Sequence, residues 1–377
     1  MPTMPAGYRS HVAASEHPRT SATHGVDELV ERLRTFPWKP LPLPVNAAFG
    51  RQFIADSSVL VLGNQQRFSS PHNYPRTWER RTVHGHDGLP LAATVAMQPG
   101  PAPMLVICHG LCMTMRFRAV IKLARHAFEN WGWHVAVYDA RGCGQSAWLS
   151  DEQMTGGYLE GEDLVAIARD LRSDERVQAV HAVGISLGGS SVLNGARVES
   201  SARDRGEAPA LDSVVSVSGP TMINEAIDHI STPPRFGSDF WPLFRLFRLA
   251  IHVNSRRIGL SPGDATWRHA STAFLEMLED APDPTEFYSR ASAALWADQI
   301  RIPTLQLHAE DDFCVPVFHA RALEEAATDN PHVHVWVQPR GNHAAFDAVA
   351  RRWYRSVLRR WCEHWTTAAS HARAERD

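Results

Sequence analysis

The chain has 377 residues, 44% of them hydrophobic and 21% charged, with a formal net charge of −3. That length and balance suit a soluble globular protein with a large core, and the charge gives no footprint for a nucleic-acid partner. No apolar run reaches the length of a membrane span, and residues 1–25, polar and broken by Pro2, Pro5 and Pro18, lack the apolar centre of a signal peptide. Cys108, Cys112, Cys143, Cys314 and Cys362 show no metal-ligand spacing. They read as reduced thiols, so a cytoplasmic location is expected.

Residues 1–25 read as disordered. A short helix is expected over 26–33, followed by an extended arm carrying Pro37, Pro40, Pro42 and Pro44. The recognisable core starts near Trp78. Residues 80–97 read as a hairpin turning at Asp87-Gly88. Apolar runs then predict strands over 104–108, 134–138, 178–183, 213–217, 304–308 and 332–337. Helical spacing predicts helices over 117–131, 159–171, 190–198, 318–327 and 344–361. Strands alternating with helices imply an α/β fold, with a mostly parallel sheet covered on both faces. Active sites in such sheets lie beyond the carboxyl ends of the strands.

The organising stretch is Gly184-Ile185-Ser186-Leu187-Gly188, set between an apolar strand and a helix. A strand, a G-x-S-x-G turn and a helix make a nucleophile elbow, in which a sharp turn lifts the serine hydroxyl clear of the sheet. A serine hydroxyl attacks only when a base takes its proton, and the base needs an acid to orient it. Both partners follow at later strand ends. His343, after Gly341-Asn342 and opening the last helix, is the expected base. Asp311 and Asp312 are adjacent candidates for the acid; Asp312 has the better spacing from its strand, which would leave Asp311 solvated or bonded to the loop. The strand ending in Val217-Ser218-Gly219-Pro220 offers no carboxylate. The oxyanion would be held by the backbone N–H groups of Leu187 and of Leu111, which follows His109-Gly110. His109 and the Asp139–Arg141 turn read as structural.

These landmarks, His109-Gly110, Arg141-Gly142-x-Gly144-x-Ser146, Gly184-x-Ser186-x-Gly188-Gly189, Asp312-x-x-Val315-Pro316 and Gly341-Asn342-His343, resemble the α/β-hydrolase superfamily in order and kind. The likeness runs from near Trp78 to Trp361. Phe287-Tyr288, the stretch Ile302-Pro303-Thr304 and the paired aspartates resemble the branch holding medium-chain esterases and abhydrolase-domain phospholipases. That branch often has Tyr-Tyr, Gly-Gly-His and a proline after the aspartates, where this chain has Phe287-Tyr288, Gly341-Asn342-His343 and Phe313. The resemblance implies an α/β-hydrolase fold with a helical cap inserted over the site.

The domain reading is an arm over 26–77, a core over 78–219 and 301–365, a cap over 220–300 and a tail over 366–377. The insertion is rich in large apolar side chains punctuated by arginines, and Phe240, Trp241, Phe244 and Phe247 are its candidate substrate contacts. The expected activity is cleavage of a carboxylic ester with a hydrophobic acyl or aromatic part through Ser186, His343 and Asp312, needing no metal or organic cofactor. An acyltransferase with the same triad, and a non-catalytic binding protein on the same scaffold, are the alternatives. The expected partner is a small hydrophobic ester, without membrane contact. The arm is a candidate to pack across the cap or to join copies of the chain into a homo-oligomer.

Overall fold

A computed structural model of the chain describes residues 21–38, 74–111, 113–238 and 283–374, with isolated positions between 240 and 275. The unit formed by residues 1–36 contributes one described helix, α1 (Ser21–Arg34). It begins five residues before the expected start at 26, within the stretch read as disordered; the rest of that stretch, and most of the proline-rich arm, lie outside the described residues.

The second unit is built on an eight-stranded sheet. Its strands are β1 (Glu79–His84), β2 (Pro90–Ala96), β3 (Ala102–Cys108), β4 (His134–Tyr138), β5 (Val177–Ile185), β6 (Ser213–Val217), β7 (Thr304–Ala309) and β8 (Val333–Gln338). The Asp87-Gly88 hairpin forms as the sequence implies, pairing β1 with β2 antiparallel, and β2 then pairs antiparallel with β4. From β4 onward, in the order β4-β3-β5-β6-β7-β8, every neighbouring pair is parallel. The chain leaves β3 in one direction to form β4 and returns on the other side of β3 as β5. The strand order therefore reverses between β3 and β5, and in open α/β sheets the carboxyl ends at such a reversal are where ligands bind.

Among the described residues the sheet is accompanied by helices α2 (Arg118–His126), α3 (Tyr158–Arg172), α4 (Leu187–Asp204), α5 (Ile223–Ser231), α6 (Pro284–Arg290), α7 (Phe318–Ala326), α8 (Phe346–Val349) and α9 (Arg351–Ala374). Alternation along β5 shows how both faces of the sheet are covered. Val180 and Ala182 join a buried apolar cluster with Leu164, Val165, Val192 and Leu193 of α3 and α4. His181 points the other way, where its imidazole meets Thr366 of α9 at 2.8 Å.

Two expected helices differ in form. The stretch 117–131 is α2 followed by a π-helical turn, Ala127–Trp131, that ends at Gly132 in the left-handed region. The stretch 344–361 is broken at Ala350, whose φ of −145° and ψ of 56° are not helical. His343 therefore lies in a loop ahead of α8 and does not open the final helix. Trp38 packs edge-on against Trp353 of α9, at 4.6 Å between ring centroids, and against Phe346 of α8. At this residue the arm lies behind the loop that carries His343.

Candidate active site

β5 delivers Ser186. Its backbone turns through φ 56° and ψ −124°, a conformation costly for a residue with a Cβ, and α4 starts at the next residue. The turn is tight enough that a Cβ on Gly184 would lie 1.9 Å from the Gly188 carbonyl oxygen, so only glycine fits there. The first N–H groups of a helix have no partner within it, and that of Leu187 belongs to this set. β3 delivers the opposing wall. A Cβ on Gly110 would stand 2.7 Å from the Ser186 Cβ and 3.2 Å from its Oγ. The turn continuing into Leu111 thus runs alongside the hydroxyl.

β7 and β8 supply the other two groups. The His343 Nδ1 lies 3.0 Å from both carboxylate oxygens of Asp312, and its Nε2 lies 2.9 Å from the Ser186 Oγ. A carboxylate only accepts, so Nδ1 carries a proton, and in the neutral ring the bare Nε2 accepts from the serine hydroxyl. Asp312 Oδ1 also accepts from the N–H groups of Cys314 and Val315, at 3.0 and 2.9 Å. Ser186, His343 and Asp312 are all buried. Burial disfavours the His343 cation, but the charge and hydrogen bond of Asp312, together with the Cys314 side chain, outweigh it and lift the imidazole well above its ordinary range. Burial likewise works against the Asp312 anion, yet His343 and the hydrogen bonds hold its carboxyl below the usual carboxylate value.

The residues read as structural have structural partners. His109 is buried, with its Nε2 accepting from the Ala140 N–H at 3.0 Å and its Nδ1 donating to the Gly110 carbonyl at 2.9 Å. Burial lowers its pKa and favours the neutral ring. Asp139 accepts from the Met115 and Gln145 N–H groups. Arg141 makes a bidentate pair with Asp163, at 2.9 and 2.8 Å.

Two contacts beside the candidate site go beyond the sequence reading, which left Asp311 solvated or bonded to the loop. Asp311 Oδ1 accepts from the N–H groups of Gly341 and Asn342, so the second aspartate bonds the histidine's own loop. Adjacency to Asp312 was the only signal for it. His308, read only as a strand end, donates through Nε2 to the Val315 carbonyl at 2.8 Å, and that nitrogen lies 3.8 Å from Asp312. It braces the acid's turn from beneath.

The four aromatic candidates in the insertion separate. Phe240 is buried and stacks on His229 at 4.8 Å; Phe244 is buried beside it. Phe313 lies between Phe240 and the candidate base, with ring centroids 6.5 Å from Phe240 and 6.3 Å from His343. Trp241 turns elsewhere, against the exposed Phe236 and under Arg245. Phe247 lies outside the described residues. Among the described residues no group of three or more His, Cys, Asp or Glu side chains is disposed to hold a metal ion, and no helix is long and apolar enough to cross a membrane.

An eight-stranded, mostly parallel sheet with a strained serine turn at its point of reversal defines the α/β-hydrolase fold. The model of the alpha/beta hydrolase family matches residues 105–355, and the chain belongs to that family. It is 26% identical over 276 residues to the monoacylglycerol lipase of Saccharomyces cerevisiae, an alignment covering 69% of this chain and 58% of that protein. It is 24% identical over 310 residues to a putative esterase of Synechocystis sp., covering 76% and 82%. The chain thus spans under two thirds of the yeast relative. Among solved structures, an esterase of Pyrococcus furiosus superposes with a TM-score of 0.55 at 14% identity, covering 80% of this chain and 99% of that one. A 2,6-dihydroxy-pseudo-oxynicotine hydrolase gives 0.55 at 18% identity, covering 90% and 85%. Both likenesses are of fold.

Proposed function

We propose that the chain is a carboxylic ester hydrolase working through Ser186, His343 and Asp312. The observation that carries this is the unbroken hydrogen-bonded line from the Ser186 hydroxyl through His343 to Asp312, at a turn strained to present that hydroxyl. The names of the yeast and Synechocystis relatives, a lipase and an esterase, support the same reaction class.

In this reading His343 Nε2 takes the Ser186 proton as Oγ attacks the ester carbonyl. The N–H groups of Leu187 and Leu111 receive the charge that develops on the carbonyl oxygen. His343 passes the proton to the departing alcohol, then activates the water that frees the acid from Ser186. Asp312 fixes the tautomer and offsets the imidazolium charge.

The segment over 220–300 acts as the cap. Phe240, Phe244 and Phe313 form an apolar wall reaching from it to His343, which favours a hydrophobic acyl or aromatic group. A series of ester substrates of increasing acyl length tests both parts. Wild type should prefer hydrophobic esters, and Ser186→Ala should lose about 10⁴-fold or more in turnover while remaining folded. Phe313→Ala should change the ratio of long- to short-chain kcat/KM by about tenfold or more. Turnover retained by Ser186→Ala would refute the mechanism, and an unchanged ratio in Phe313→Ala would refute the wall.

A further inference from the structure

We propose that Asp311, together with Ser218, is a positioning residue of the triad: Asp312 holds the ring of His343, and Asp311 and Ser218 hold the backbone of the loop that carries it. This rests on the reading of His343 as the base.

The loop is held in a conformation that the chain does not favour by itself. Asn342 has φ 50° and Ala344 has φ 52°, so the residues on both sides of His343 sit in the left-handed region without being glycine. Such backbone persists only where its surroundings over-determine it. Here every N–H from residue 341 to residue 345 has an assigned acceptor. Those of Gly341 and Asn342 converge on one oxygen of Asp311, at 2.8 and 2.7 Å. That of His343 bonds the Asn342 side-chain oxygen at 2.9 Å. That of Ala344 bonds the Ser218 Oγ at 3.0 Å, and that of Ala345 returns to the Gly341 carbonyl at 3.0 Å.

Two of these acceptors come from outside the loop, and each is anchored to a strand. Asp311 stands two residues past the end of β7, and the intervening Glu310 N–H bonds the Gln338 carbonyl at the end of β8. Ser218 follows β6, and its own N–H bonds the Leu307 carbonyl of β7. A carboxylate facing consecutive N–H groups makes charge-assisted bonds to a small anion nest. The same turn after β7 therefore supplies one carboxylate to the ring of His343 and one to the main chain of the two residues before it. Releasing the loop would move Nε2 relative to the Ser186 hydroxyl, and a displacement of about 1 Å costs about 100-fold in rate.

The test is steady-state kinetics on a short ester, with thermal unfolding measured on the same samples. Asp311→Ala should lower kcat about 10- to 100-fold with KM within about twofold of wild type, because the loss is in alignment and not in binding. Asp311→Asn, whose side-chain oxygen still accepts both N–H groups, should recover most of that loss. Ser218→Ala should lower kcat in the same direction with KM unchanged, and it carries the test if Asp311→Ala does not fold. Wild-type kcat in folded Asp311→Ala, an Asn variant as impaired as the Ala variant, or a Ser218→Ala variant with wild-type kcat would each overturn the proposal. Ser186→Ala run alongside separates the readings: turnover in that variant sinks the triad, whereas an inert Ser186→Ala beside a fully active Asp311→Ala sinks only the clamp.

Discussion

His343 sits under two opposed influences: burial pushes its proton off, and the adjoining Asp312 carboxylate holds it on. The carboxylate, with the Cys314 side chain adding to it, outweighs burial, so the imidazole stays protonated to a higher pH than a free histidine, whose pKa is about 6.5. Only the neutral ring can accept from Ser186. Activity should therefore rise with pH through a pKa above that ordinary value, and fall away below it. Replacing Asp312 by Asn removes the stabilising charge, so the acid limb of the kcat/KM profile should move to lower pH, while kcat drops about 10⁴-fold. A limb that stays in place in Asp312→Asn would show that another group controls it. Among single residues the sequence was informative where chemistry dictates order, with Ser186, Asp312 and His343 falling in turn after β5, β7 and β8. It said little about Asp311, because adjacent carboxylates alternate in direction and only the folded turn shows which meets a ring and which meets a backbone.

Elements are positioned by a few buried polar links as well as by apolar faces. The clearest is Arg141, in the turn after β4, whose guanidinium pairs with Asp163 in the middle of α3; their side chains are only 4% and 1% exposed. Asp163 also accepts from the His86 N–H, so one carboxylate ties the first hairpin, the β4 turn and α3 together. Arg141→Ala leaves that carboxylate buried without its counter-charge and should cost about 3–5 kcal/mol in chemical unfolding. A loss below about 1 kcal/mol would mean that water enters and solvates Asp163. The strands 134–138 and 213–217 were legible residue for residue, because a buried parallel strand is a short apolar run with polar or glycine borders. The final helix was not. Its apolar spacing runs through Phe346, Val349, Trp353, Val357 and Trp361 without glycine or proline, so nothing local marks the break at Ala350. The π-helical turn over Ala127–Trp131 is invisible for the same reason: the change is in hydrogen-bond pattern and not in composition.

Across the whole molecule, the reversal of strand order between β3 and β5 brings Gly110 and Ser186 together, and the successive neighbours β6, β7 and β8 bring Ser218, Asp312 and His343 to the same end of the sheet. Residues 157 positions apart meet at 2.9 Å for this reason. Of the five non-glycine residues with positive φ among those described, Ser186, Ser218, Asn342 and Ala344 lie at this one end. Local strain is concentrated where the hydroxyl and the imidazole must be presented. The order of motifs along the chain made the fold legible. The route by which the insertion reaches the site was not, since Phe313 stands outside it and is joined to Phe240 only in space. If Ser186 is an activated nucleophile, a fluorophosphonate probe will label it covalently. Intact-mass and peptide analysis should find one adduct, on Ser186, formed rapidly in wild type, strongly slowed in His343→Ala and absent from folded Ser186→Ala. Wild type left unlabelled, or labelling undiminished in Ser186→Ala, would rule out Ser186 as the nucleophile.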